Sequence, residues 1–241
     1  MPPAVRRPRR RGTGWLVALV ILAVLLFAAD RITVLIAEHV AADKIKSSQQ
    51  LDHTPSVTVR GFPFLTQLIS GTINQVDVTA KDFVAGEAGQ TIRIRSLKVQ
   101  LHRVHISGFS SARAQTATAS ASIDYSALSA VLGVPVRYGG ATADGLGRVA
   151  TDSSATVLGQ SFSGTASAEI KVRGSNVLQF VNPAATVNGA TVPPTVLTEL
   201  TRAFDRSISL HGLPFQLTLQ SVRASAGGVT VVATASNVTY Q

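Results

Sequence analysis

The chain has 241 residues, a net charge of +9 and no cysteine. That length holds one domain of about 190 residues plus an N-terminal appendage, and the missing thiols exclude disulfides, thiolate metal sites and a cysteine nucleophile. The charge does not point to nucleic acid: Arg6, Arg7, Arg9, Arg10 and Arg11 supply much of it, and residues 47–241 carry 14 Lys/Arg against 10 Asp/Glu.

The arginine cluster, residues 1–11, precedes Gly12–Ala29, a run of 18 residues without a charge. As a helix that run spans about 27 Å, close to the hydrocarbon thickness of a bilayer. The basic flank favours an N-terminus left in the cytoplasm and an exported remainder, in a single-pass protein of the cytoplasmic membrane. The rival is a cleaved signal peptide, but Leu26 or Phe27 would occupy the small-residue −3 position of its cleavage site. An uncleaved signal-anchor is therefore expected. Residues 30–50 continue the helical pattern, with Ile32, Leu35, Ile36, Val40 and Ile45 as apolar positions. They form a stalk or pack on the domain that follows, residues 51–241.

Ser56–Arg60 alternates like a strand. Gly61 breaks it, and Pro63 suits the first turn of a helix. Phe64, Leu65, Leu68 and Ile69 share one helical face, and Gly71 is a natural stop. A strand from Ile73 to Phe83 follows. Thr91–Ser107 alternates with two phase changes: Ile92 and Ile94, then Leu97, Val99 and Leu101, then Val104 and Ile106. One buried face does not permit a slip, so β-bulges in a single bent strand, or two strands with a break, are expected. Ala112–Ile123 alternates with alanine as its apolar residue, which leaves room for a close-packed helix or an acyl chain. A short helix at Ser126–Leu132, a glycine-rich loop at Arg137–Gly147 and a hairpin of Val149–Leu158 with Ser161–Val172 come next. Pro193-Pro194 opens an amphipathic helix with Val196, Leu197, Leu200, Ala203 and Phe204 inward, and Glu199 within reach of Arg202. Strands Phe215–Ala224 and Val229–Tyr240 close the chain. The order predicts α+β with an antiparallel sheet.

Gly61-Phe62-Pro63-Phe64-Leu65-Thr66-Gln67, Gly71 and Val76-Asp77-Val78 together resemble the LmeA-like family of actinobacterial cell-envelope proteins, described as phospholipid-binding. Leu213-Pro214-Phe215, which echoes the first motif, and Gly227-Gly228-Val229 are similar to the same family. The resemblance runs from about Leu51 to the C-terminus. It implies an extracytoplasmic (periplasmic) lipid-binding domain of tubular type, in which a long, strongly curved antiparallel sheet wraps helices. It also implies a link to the maturation of mannose-bearing lipoglycans, without a catalytic motif to carry over.

The residues themselves nominate little chemistry. There is no Gly-x-Ser-x-Gly elbow, P-loop, dinucleotide fingerprint or His-Glu-x-x-His, so no catalytic residue, metal ligand or cofactor is assigned. His102 and His105 fall on opposite faces of a regular strand and need a phase slip to share a metal. Phe62, Phe64, Leu65, Leu68, Ile69, Leu213 and Phe215 either build an ordinary core or line a lipid cavity. Each buried methylene of an acyl chain would contribute roughly 0.8 kcal/mol. Arg93 and Arg95 share a strand face and either meet an anionic headgroup or lie in solvent. The expected partner is phospholipid or a lipid-linked glycan, with a role in lipoglycan or envelope biogenesis. A glycosyltransferase-type enzyme and a non-catalytic assembly partner are the alternatives. The first requires clustered carboxylates or histidines in a polar cleft. The second requires a solid core and a large exposed apolar patch.

Overall fold

The computed structural model describes residues 13–48, 51–87, 90–107, 111–210, 213 and 216–240. One helix, α1 (Thr13–Ser48), joins the uncharged run to the segment after it without a break. From Trp15 to Phe27 its large apolar side chains are all exposed. The face through Asp30, Val34, Ala42 and Ile45 is buried. Spacings of three, four and eight put these positions on one stripe, which packs on β1 (Ser56–Arg60) and α2 (Phe64–Ile69). Val34, Ala42 and Ile45 join the main core, so this part of α1 packs on the domain along one stripe.

The strands form two antiparallel six-stranded sheets, where the sequence suggested one. In the first, β1 is followed by β2 (Thr72–Glu87), β3 (Gln90–Ser107) and β4 (Ser111–Ile123). Then come β12 (Gly228–Tyr240) and β11 (Thr218–Ser225) at the far edge. The second contains β5 (Arg137–Tyr138), β6 (Arg148–Val157), β7 (Gln160–Arg173), β8 (Val177–Val187) and β10 (Ile208–Ser209), with β9 (Ala190–Thr191) paired to β8. β11 lies against β7. Leu219 N–H donates to Ser175 O at 2.7 Å and Ala224 N–H to Leu146 O at 2.7 Å. Helix α3 (Tyr125–Leu132) packs on β3. Helix α4 (Pro194–Thr201) covers β6, β7 and β8, and its expected last turn tightens into a 3₁₀ turn, Arg202–Asp205. Val196, Leu200 and Phe204 are buried as expected, and Arg202 pairs with Glu199 at 2.7 Å.

The phase changes in β3 are real, but no residue is inserted there. Val104 pairs with Ile73 and with Ala114, and Leu101 with Val76 and with Ala117; Ala114 and Ala117 in turn pair with Val238 and Ala235. Four adjacent strands therefore skip one extra residue at the same level and keep register. Left-handed residues sit on that line, Arg103 at φ 49° and Asn237 at φ 55°, and Asp82 at φ 49° marks the second break between β2 and β3. A left-handed residue turns the chain by one side-chain position, so the buried face continues past the skip. Register does shift elsewhere, between Leu219 and Ser221 and between Ser167 and Glu169. The latter shift leaves Asn182 and Pro183 of β8 unpaired, with Asn182 at φ 50°. The Asn-Pro pair masks β8 in the sequence, because proline argues against a strand except at such an irregularity.

Candidate functional site

The site lies where α1, the end of β1 and α2 meet. Its geometry starts with Gly61, whose φ of 100° turns the chain out of β1. Pro63 is the residue before the helix, in an extended conformation, not its first helical residue. Phe64 and Gln67 point inward and are buried. The Gln67 amide ties the turn together: its Oε1 accepts the Asn74 N–H at 3.0 Å, and its Nε2 reaches the carbonyls of Arg60 and Pro63 at 3.5 Å.

Proline offers α2 no side-chain cap, and the cap comes from α1. Asp30 Oδ1 accepts the Leu65 N–H at 2.8 Å, so a carboxylate 35 positions upstream satisfies one of the orphan donors of this helix. Asp30 is almost wholly buried and is paired with Arg31. The Arg31 guanidinium in turn lies 5.8 Å from the Phe27 ring and 5.2 Å from the Phe62 ring, and those two rings are 5.7 Å apart. Further along α1, Glu38 Oε1 accepts the Val59 N–H at 2.7 Å. The helix is therefore held to the domain at two levels by its own carboxylates.

Between α1 and β1 runs an open groove of about 530 Å³, lined by Arg31, Glu38 and Arg60 together with Val34, Leu35 and Phe62. Arg60 also pairs with Asp77 at 2.8 Å. Burial acts to raise the Asp77 carboxyl, but hydrogen bonds from Gln75 and Arg60 outweigh it and hold it below the ordinary carboxylate value. The groove thus combines two ion-paired arginines and the Glu38 carboxylate with an apolar wall. A second, more polar groove of about 330 Å³ lies on the other sheet, by Arg137, Tyr138, Gly139 and Thr165.

The residues expected from sequence are divided by the fold. Phe64 is core, Leu65 is half-buried at the cap, and Phe62, Leu68 and Ile69 are exposed. Leu213 packs against the main core, and Phe215 lies outside the described residues. Arg93 and Arg95 are both exposed toward the opposite end of β3 from α2, and Arg95 is paired with Asp124 at 2.6 Å. The phase break puts His102 and His105 on one face, where His105 Nδ1 and Thr72 Oγ1 share a hydrogen bond of 3.0 Å. Among the described residues no group of three His, Asp or Glu side chains is placed to hold a metal ion. Sequence reasoning missed Asp30, Arg31 and Arg60. The available signal was an Asp-Arg pair closing an otherwise uncharged run, and it names no partner 35 positions away.

Helix α1 is long and apolar enough to cross a membrane. No curated protein and no solved structure shows a significant match to this chain. A family model described as LmeA-like phospholipid-binding matches residues 28–234, from the end of the uncharged run almost to the C-terminus, and on that match the chain belongs to the LmeA-like phospholipid-binding family.

Proposed function

We propose that this protein is held in the cytoplasmic membrane by residues 12–29, N-terminus inside, and that its domain binds a phospholipid on the extracytoplasmic side. The observation that carries the reading is the groove between α1 and β1. It begins two residues past the uncharged run, brings the ion-paired Arg31 and Arg60 within reach of an anionic phosphate, with Glu38 further along, and offers Val34, Leu35 and Phe62 to the first methylenes of a tail. Ten buried methylenes would contribute about 8 kcal/mol. The seat in this reading is an open groove at the membrane surface, and Phe62 is the one residue of the apolar set expected from sequence that lines it. A lipid-linked glycan precursor carries the same phosphate and tail chemistry, and support of lipoglycan or envelope biogenesis is the wider role that goes with it.

Native mass spectrometry of the full chain released from nanodiscs tests this. Co-purifying phospholipid is expected, with much less retained by the Arg31→Gln, Arg60→Gln double variant. A bare protein mass together with no lipid transfer between liposomes would sink the proposal.

A further inference from the structure

Three large apolar side chains on the turn and helix after β1 project outward from the domain. Phe62 is 62% exposed, Leu68 41% and Ile69 85%. They are not free to turn inward, because the opposite side of α2 is already packed through Phe64 and Gln67. On α1, Ile32, Leu35 and Ile36 are each more than half exposed although they lie beyond the uncharged run.

We propose that Phe62, Leu68 and Ile69 seat in the outer leaflet of the bilayer that α1 crosses, at the boundary between headgroups and acyl chains. This rests on the reading of residues 12–29 as a membrane anchor. The depth follows from lengths: 18 uncharged residues span about 27 Å of a hydrocarbon layer about 30 Å thick, so the boundary falls near Arg31 and Ile32. That is the level of α2, fixed there by the Asp30 cap on Leu65 and by the Phe27–Phe62 contact. The charges at this level suit the position. Asp30 is covered by the domain, and Arg31 is paired with it and placed near two aromatic rings. A long Arg side chain can lay its apolar stem along these rings and keep its guanidinium at the headgroup level. Seating here places the mouth of the α1–β1 groove against lipid, so that a phospholipid enters sideways from the leaflet without crossing water.

The chain has no cysteine, so single cysteines report cleanly. Ile69→Cys and Val84→Cys full-length variants, each labelled with an environment-sensitive fluorophore, go into phosphatidylcholine–phosphatidylglycerol liposomes containing a lipid spin-labelled near its headgroup. Val84 is 53% exposed and about 40 Å of strand from the α2 end of β2. Quenching several-fold stronger at position 69 than at 84 is the expected result. Equal quenching in a protein that resists carbonate extraction overturns the seating and leaves the anchor intact. Release by carbonate overturns both. Oxidative cross-linking of the unlabelled Ile69→Cys variant into a disulfide-linked dimer would give this face to a second copy of the chain and overturn the seating as well.

Discussion

At the scale of single residues, a few buried polar groups do most to define the structure. Gln67 is the clearest: replacing it with Leu keeps the volume but orphans the Asn74 N–H, which costs about 1–3 kcal/mol. Denaturant unfolding of the full chain in detergent, followed by circular dichroism, measures that loss. Tyr125 gives a pH signature. Its hydroxyl donates to the Ser225 carbonyl at 2.6 Å, and burial pushes its phenol up to about 12 from an ordinary value of 10.0. The folded state favours the neutral phenol. Its contribution to stability is therefore complete below the unfolded value and declines as pH rises from there through the folded one. The unfolding midpoint should fall above pH about 10, and the Tyr125→Phe variant should show a smaller fall over the same interval.

At the scale of elements, the way helices and strands end or bend can be tested directly. Asp30→Ala removes the cap of α2, a loss of about 1–2 kcal/mol, and amide exchange should quicken across residues 64–69 while β3 and β4 stay protected. Asn in place of Asp30 still accepts the Leu65 N–H and should recover most of that protection. The skipped line across the first sheet is tested at Asn237, whose φ of 55° is readily reached by asparagine or glycine but not by a β-branched residue. Asn237→Val should lower stability by about 1–2 kcal/mol, and Asn237→Gly should come close to neutral. Denaturation midpoints of the two variants decide it; equal losses would mean that the left-handed conformation is not what position 237 requires.

At the scale of the molecule, we propose that the folding unit begins inside α1. Val34, Ala42 and Ile45 are buried in the main core, and Asp30 and Glu38 supply hydrogen bonds to α2 and β1. A chain starting at residue 30 should fold in solution. One starting at residue 51 loses the burial of a valine and an isoleucine alone worth about 3–6 kcal/mol, a large fraction of the 5–15 kcal/mol that holds a typical domain. Comparing the thermal unfolding of the two truncations tests where the domain begins. The family match, which starts at residue 28, favours the longer unit.

Local patterns were enough to fix the uncharged run, the alternation of most strands, the amphipathic α4 and the Gly-Phe-Pro-Phe turn, because each depends on periodicity or on one residue's backbone preference. They were also enough for the family, through the residues of that turn and of Val76-Asp77-Val78. What they left open was decided by contacts between distant positions. The phase changes in β3 keep pairing intact only because β2, β4 and β12 skip a residue at the same level. The second sheet includes β8, a strand that the Asn-Pro pair hides from the sequence. The apolar residues of the motif could not be sorted from sequence, since a helical face does not say which of its sides meets protein. Asp30 settles that question: by capping α2 it orients the helix against α1, leaving Phe64 inside and Ile69 outside. A pairing across 35 positions has no local signature, and so the site became visible only when the chain was folded.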